Sequence, residues 1–252
     1  MAAAQGQDER HLKLVVQYDG TDYYGFQIQP GVPTVQAELE RALCRVLQHP
    51  VKIIGAGRTD AGVHALGQVV LVRTRNPVEP ERLARAANDA LSPAVGVVAA
   101  EEVGAEFHPR FSAVGKLYSY RILNRELSSP FIGRYAWHVK VPLDTAGMRE
   151  GARCLVGRHD FSSFEAAGSS VHDKVRHVTR LDVEREGDLV ELRSYGDGFL
   201  YMMVRNIVGT LVEVGAGRLG ADELEGVLAA RDRSAAGPTA PPQGLCLVRV
   251  DY

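Results

Sequence analysis

The sequence is poor in the residues that build disulfide frameworks and metal clusters. Its three cysteines, Cys44, Cys154 and Cys246, lie far apart and form no CxxC pair. This spacing argues against a disulfide framework and against a cysteine zinc site. The histidines show no HxxxH or HExxH spacing, so we interpret them as ordinary surface or core residues and expect no bound metal.

A long apolar run is also missing. No stretch approaches the roughly 20 consecutive apolar residues that span a bilayer. The first ten residues have neither a basic start nor an apolar stretch, so they do not resemble a secretory signal. We therefore expect a flexible terminus over residues 1–10, no membrane segment and a cytoplasmic protein.

Lysine is scarce and there is no excess of positive charge. The formal net charge is −2 at pH 7, and only five of the 29 basic residues are lysine, so the others are arginine. A basic domain would be a stronger sign of nucleic-acid binding. However, arginine is the better bidentate phosphate ligand, and a neutral protein can carry a basic groove if its acids lie elsewhere. The composition permits RNA binding without indicating it.

Hydrophobic residues make up 45% of the chain, which is enough for a buried core. The first half, residues 11–104, predicts the order β-α-β-β-α-β, which is ferredoxin-like. Thr34 is a plausible N-cap for the first helix. The predicted strands are His11–Asp19, Val51–Ile54, Gln68–Arg73 and Val95–Ala100, and the second helix is Glu79–Leu91.

The second half, residues 105–252, repeats these ingredients loosely. We expect strands at Lys116–Leu123, Val175–Glu184, Leu189–Tyr195 and Leu245–Tyr252, and helices at Thr145–Leu155, Leu200–Val214 and Asp222–Ala230. A loop rich in proline, alanine and glycine covers Asp232–Gln243. The predicted fold class is α+β, with two ferredoxin-like halves.

The densest polar segment runs from Gly55 to Ala65 and lies between two predicted strands. It contains Arg58, Asp60 and three glycines, which let the backbone approach a ligand closely. Function concentrates in such loops, although a single Asp in a turn is more often structural. Arg58 and Asp60 together make this loop the first candidate for an active site.

Two glycine patterns raise the alternative of nucleotide binding. Gly55-Ala56-Gly57 follows a strand, but Asp60 stands where a dinucleotide fingerprint requires Gly or Ala. Gly215–Gly220 has the full G-x-G-x-x-G spacing but follows a helix, so we interpret it as the end of that helix. Neither pattern predicts a bound dinucleotide.

Arg205 is the second informative residue because it lies on a predicted helix that is apolar nearly all round. A guanidinium on such a face is costly unless it is paired, so we expect a carboxylate to meet it. A purely structural ion pair, or a side chain that reaches out to solvent, remains an alternative.

Basic and aromatic residues alternate in Phe107–Ala113 and in Lys116–Tyr120. That composition suits stacking on unpaired bases and contact with phosphates. Tyr118 and Tyr120 share one face of a predicted strand. The alternative to nucleotide binding is that these aromatic residues belong to the core of a sheet.

Taken together, these segments resemble the TruA family of tRNA pseudouridine synthases over nearly the whole chain. The most specific segment is Gly57-Arg58-Thr59-Asp60-Ala61-Gly62-Val63-His64-Ala65. The others are Tyr18–Thr21, Tyr24–Gln27, Thr34–Gln36, Phe107–Ala113, Tyr118–Tyr120, Gly157–Phe161, Met203–Asn206 and Thr239–Leu245.

The resemblance implies the pseudouridine synthase fold, in which two halves share a mostly antiparallel sheet with a central RNA-binding cleft. It implies Asp60 as the catalytic carboxylate, with nucleophile as the leading role, a base-contacting Tyr118 and an Arg205 that faces Asp60. It further implies a homodimer without cofactor that acts on uridines 38, 39 and 40 of the tRNA anticodon arm.

Two further residues receive roles on this basis. Arg58 is a candidate to fill the space of a flipped-out base or to hold a phosphate, and Leu245 to pack against the base. The sequence does not choose whether Asp60 attacks C1′, attacks C6 or removes the C2′ proton. The rival functions are a tRNA-binding protein without chemistry and an RNA methyltransferase that uses Gly215–Gly220.

Overall fold

The computed structural model describes residues 9–168 and 171–252. It divides the chain into two compact units, one that extends to Ala113 and includes Tyr252, and one that comprises Val114–Asp251. Most of the predicted flexible terminus, residues 1–8, lies outside the described residues. The first strand already begins at Arg10.

Within residues 9–113, the first unit contains four strands and two helices in the predicted order: β1 (Arg10–Tyr18), α1 (Val35–Leu47), β2 (Ile53–Gly55), β3 (His64–Thr74), α2 (Pro80–Ala90) and β4 (Val95–Val103). The strands lie side by side in the order β4-β1-β3-β2, and each neighbouring pair is antiparallel. The ferredoxin-like prediction for this half is therefore confirmed.

Local sequence explains where α1 begins and which side it buries. Thr34 has an extended backbone, and its side chain accepts a hydrogen bond from the N–H of Ala37, as an N-cap should. Leu39, Leu43 and Leu47 recur every four residues and are buried on one face. Each fully buried leucine contributes about 1.5–3 kcal/mol, so this face fixes the helix on its sheet.

The second unit contains six strands and three helices among the described residues: β5 (Gly115–Asn124), β6 (Trp137–Val139), α3 (Thr145–Arg153), β7 (Gly157–Asp160), β8 (Val175–Glu186), β9 (Leu189–Gly196), α4 (Met203–Gly215), α5 (Leu224–Ala230) and β10 (Leu245–Asp251). Its strand order is β10-β5-β9-β8-β7, and β6 pairs with β5 in parallel. Without β6 and β7, this order matches that of the first unit. The chain is thus a mixed α+β protein with mostly antiparallel pairing, as predicted.

Strand β3 begins at His64, four residues earlier than predicted, and three further details differ from the predicted elements. Strands β6 and β7 have no counterpart in the sequence prediction. Helix α4 begins at Met203, later than predicted, because Met202 has a left-handed backbone with φ of 57°. The predicted loop after α5 contains two short 3-10 turns, Arg233–Ala235 and Pro242–Gly244. Within residues 9–168 and 171–252, every helix is too short or too polar to cross a bilayer.

Candidate functional site

The loop that carries Asp60 connects β2 to β3 in the first unit. Thr59 is buried, Asp60 is half-buried and Arg58 is exposed. Asp60 therefore follows a buried threonine that anchors the loop, and Arg58, two residues before Asp60, faces solvent. Such an arrangement holds a carboxylate in place while a substrate can still reach it.

Two side chains and one backbone N–H group, from three separate segments, hold this loop. Tyr18, at the end of β1, shares a hydrogen bond of 2.7 Å between its hydroxyl and Thr59 Oγ1. Gln68 on β3 donates from Nε2 to the Gly57 carbonyl at 2.9 Å. The N–H of Phe26 donates to the Thr59 carbonyl at 3.1 Å. Each bond fixes a backbone or side-chain position next to Asp60.

Close backbone packing explains why a glycine precedes Phe26. Gly25 has a φ of +91°, and a Cβ there would lie 2.7 Å from the Thr59 carbonyl oxygen. A side chain would be strained at this φ and would push on the Asp60 loop. The turn Tyr24–Gln27 and the Asp60 loop are thus two halves of one packed structure.

His64 joins the beginning of β3 to the turn after β1. Its Nδ1 lies 3.1 Å from the Gly20 nitrogen and 3.2 Å from Asp19 Oδ1. A Cβ on Gly20 would lie 2.0 Å from the Val63 carbonyl oxygen. The most specific segment of the family resemblance, Gly57–Ala65, therefore contacts another of its segments, Tyr18–Thr21, directly.

In the second unit, Tyr118 lies on β5 and is only 8% exposed. Its cross-strand neighbours are Ser194 on β9 and Leu247 on β10. The rings of Tyr118 and Phe199 pack edge to face, with their centroids 5.2 Å apart. This is a preferred geometry for an aromatic pair and stabilises the position of the Tyr118 ring.

Arg205 lies on α4 and is 9% exposed, so its guanidinium is largely out of water. Its Nε donates to the Ala240 carbonyl at 2.8 Å, and the Ala240 N–H donates to the Arg205 carbonyl at 3.1 Å. The sequence predicts a carboxylate as the partner of this guanidinium. One of its N–H groups, Nε, instead bonds to a backbone carbonyl. The helix approaches this loop so closely that a Cβ on Gly209 would lie 1.7 Å from the Pro238 carbonyl oxygen.

Leu245 begins β10 opposite Tyr120, which is fully buried. The Tyr120 hydroxyl donates to the Pro241 carbonyl at 2.7 Å. Burial raises the pKa of Tyr120 well above its ordinary value, while the positive charge of Arg205 acts in the opposite direction. Arg205, Tyr120 and Leu245 therefore surround the same loop of the second unit.

Asn206 and Gln68 are supporting residues whose roles the sequence analysis does not identify. Asn206 is fully buried; its Nδ2 donates to the Phe164 carbonyl at 2.8 Å, and its Oδ1 accepts from Thr239 at 2.6 Å and from Arg233 at 3.1 Å. A polar residue inside an apolar helix or strand is the signal that identifies such positions. Among the described residues, no cluster of acidic, histidine and cysteine side chains has the arrangement of a metal site.

Comparison with known proteins gives a consistent result. A family model described as tRNA pseudouridine synthase matches residues 14–112 and 152–252. The tRNA pseudouridine synthase A of Brevibacillus brevis is 48% identical over 243 residues, which cover 96% of this chain and 100% of the relative. The enzymes of that name from Thermoanaerobacter sp. (strain X514) and Moorella thermoacetica are 44% and 46% identical, and each match covers 96% of this chain and at least 99% of the relative.

One solved structure is much less similar to this chain. A chain in the crystal structure of a Cbf5–Nop10–Gar1 complex aligns with a TM-score of 0.37 and 13% identity. The alignment covers 93% of this chain and 57% of that chain.

Proposed function

Since this chain belongs to the tRNA pseudouridine synthase family and isomerises uridine to pseudouridine in tRNA, we propose that Asp60 is its catalytic carboxylate. The observation that carries this assignment is the construction of the loop. Tyr18, Phe26 and Gln68, from three separate segments, all bond to residues within three positions of Asp60. A loop fixed from so many sides can hold a carboxylate to the tolerance that catalysis needs.

The reaction breaks the bond between N1 of uracil and C1′, rotates the base and joins C5 to C1′. The C5 proton leaves and N1 gains one, so no electrons are gained or lost overall. Asp60 would act as the nucleophile, at C1′ or at C6, and removal of the C2′ proton is the other route by which a carboxylate could start the reaction. The atom balance requires no cofactor.

Arg205 and Tyr118 are assigned supporting roles. We propose that the guanidinium of Arg205, which is largely removed from water, faces Asp60 and interacts with the charge of its carboxylate. Tyr118 would stack on the uracil, and its hydroxyl would help to remove the C5 proton. Its contact with Phe199 supports this role, because a packed ring loses less freedom when it binds a base than an unpacked one.

Arg58 and Leu245 complete the proposed set. Arg58 is exposed beside the Asp60 loop, so its side chain can fill the space of a flipped-out base or hold a phosphate. Leu245 is nearly fully buried at the start of β10 and would pack against the base.

The finer description of the substrate and of the assembly also belongs to this proposal. We assign the uridines at positions 38, 39 and 40 of the anticodon arm as targets, a homodimer as the working form and the cytoplasm as its location. The relatives named tRNA pseudouridine synthase A, which match over nearly the full chain, support a common substrate class.

Substitution of the carboxylate tests the central assignment. Asp60→Asn keeps the shape of the side chain but removes its charge, so we expect it to abolish tritium release from tRNA that carries tritiated uridine at C5. The Kd for tRNA should stay near the wild-type value. Asp89, an exposed acid on α2, provides the matched control, since Asp89→Asn should release tritium normally. Turnover by Asp60→Asn would contradict the assignment.

A further inference from the structure

Several exposed aromatic residues lie outside the proposed catalytic set, and Phe111 differs from the others in the groups that flank its ring. Phe111, in the loop of residues 107–112 that follows β4, is 76% exposed. A phenylalanine in water is unfavourable unless something else covers it. The neighbours of its ring therefore indicate what the uncovered face can bind.

The ring of Phe111 is flanked by a second ring and by a cation. The imidazole of His108 lies 4.4 Å from the Phe111 centroid at an interplanar angle of 31°. The guanidinium of Arg110 lies 5.6 Å from the same centroid. An exposed aromatic ring beside an arginine is the combination that binds a nucleobase by stacking and its phosphate by charge.

Hydrogen bonds within the 107–112 loop fix this arrangement. Nδ1 of His108 accepts from the N–H groups of Arg110 and Phe111, at 3.1 and 3.2 Å. Ser112 Oγ accepts from the His108 N–H at 3.0 Å, and the Ser112 N–H donates to the His108 carbonyl at 2.9 Å. Because Nδ1 accepts, the proton of the neutral imidazole is assigned to Nε2, which is then a hydrogen-bond donor.

A second set of contacts anchors the loop to β1. Tyr252 donates from its hydroxyl to the Pro109 carbonyl at 2.8 Å, and its ring lies 4.9 Å from that of Phe107. Lys13 on β1 places its ammonium 4.9 Å from the Tyr252 ring centroid. The exposed face of Phe111 is thus held in position before any ligand binds, which lowers the entropy cost of binding.

We propose that the 107–112 loop binds an unpaired nucleotide of the tRNA other than the target uridine, with the base on Phe111 and the phosphate on Arg110. This inference rests on the proposed function. Lys13 precedes Tyr18, whose hydroxyl bonds to Thr59, by five residues of strand, which is roughly 17 Å along β1. Because this length of strand separates the Lys13 end of β1, where the loop is anchored, from the Thr59 contact, the proposal places the base on Phe111 at a different position from the uridine that reacts.

Binding and turnover measurements on the full-length enzyme test this inference. With an unmodified tRNA transcript as the probe, we expect Phe111→Ala to raise the Kd by about 5- to 100-fold, the range for loss of one base–aromatic stack. Phe111→Tyr should restore binding, because tyrosine also stacks. Arg110→Ala should raise the Kd and lower the slope of log Kd against log salt concentration by about one, as loss of one phosphate contact requires.

Phe131 offers a matched control, because it is 89% exposed and no ring or cation flanks it among the described residues. Phe131→Ala should leave the Kd unchanged. The single-turnover rate at saturating tRNA should be near wild type in Phe111→Ala, because the loop contacts a nucleotide that does not react. An unchanged Kd in Phe111→Ala, with an active wild-type enzyme, would overturn the inference and leave the role of Asp60 untouched.

Two other outcomes also decide the question. If Phe111→Ala converts a dimer into a monomer, as measured by sedimentation, the ring contacts a second copy of the chain and the inference is wrong. If Asp60→Asn retains turnover while Phe111→Ala weakens binding, the catalytic assignment fails and the nucleotide site stands.

Discussion

At Gly25, the absence of a side chain determines where the Asp60 loop lies. The residue combines a φ of +91° with direct packing on the Thr59 carbonyl. Gly31 has a comparable φ of +77°, but a Cβ added there would have no atom within 4 Å. A side chain at either position would strain the backbone, but only a side chain at Gly25 would also displace the Asp60 loop. Comparing the two substitutions therefore separates these effects.

We predict that Gly25→Ala lowers kcat for tRNA by roughly 100-fold, because a shift of about 1 Å in a catalytic group has an effect of that size. The same substitution should reduce the free energy of unfolding by about 1–3 kcal/mol. Gly31→Ala should show a loss of stability of the same kind with a normal kcat. Steady-state kinetics and urea denaturation of both variants measure this, and equal kcat values in the two would refute it.

At the scale of the element, the turn after β7 depends on one carboxylate. Asp160 Oδ1 accepts hydrogen bonds from the hydroxyl and the N–H of Ser162, at 2.6 and 3.0 Å, where the 3-10 helix Ser162–Phe164 begins. The Ser162 hydroxyl is the largest cause of a lowered pKa for Asp160. The Ser162 N–H and the charges of Arg231 and Lys174 add to it, whereas partial burial acts in the opposite direction.

The sign of the pH effect follows from this lowered pKa. A carboxylate whose pKa is lower in the folded state stabilises the fold above its unfolded pKa, about 3.9, and this contribution is lost as the pH falls through the folded pKa. We predict that Asp160→Asn unfolds with a free energy about 1 kcal/mol lower than wild type at neutral pH, since bonds to a charged acceptor are stronger. Urea denaturation should show the two proteins converging in acid. A difference that does not change with pH would contradict the role of the charge.

Short elements also show why the sequence predicts some strands and not others. The strands β6 and β7 have only three and four residues, too few for an alternating pattern to be recognised. β6 exists because Trp137–Val139 pair with Ile122–Asn124, and β7 because it pairs with β8. In contrast, α1 and the hairpin of β8 and β9 carry their patterns within their own residues, so the sequence predicts them.

At the scale of the whole molecule, the net charge of −2 cannot attract tRNA from a distance. On the proposed function, binding depends on local groups such as Arg58, Arg110 and Phe111, and on the number of such groups that one tRNA meets at once. A homodimer would double that number without any new kind of contact.

We predict that light scattering gives a mass of about twice 27.4 kDa, the mass of one chain, at the concentrations where the enzyme is active. Mixing the wild type with an excess of inactive Asp60→Asn chains should then form mixed dimers. A mass of one chain under assay conditions would exclude the homodimer as the working form.

The sequence by itself determined most of the element order, the family and the segment that carries Asp60. These depend on apolar periodicity and on short runs of residues, which are local properties of the chain. The tertiary structure decided what those residues contact. Tyr18 reaches Thr59 across 41 positions, Arg205 meets Ala240 across 35 and Tyr252 reaches Pro109 across 143. No local pattern encodes such pairs, because each depends on how distant segments pack together.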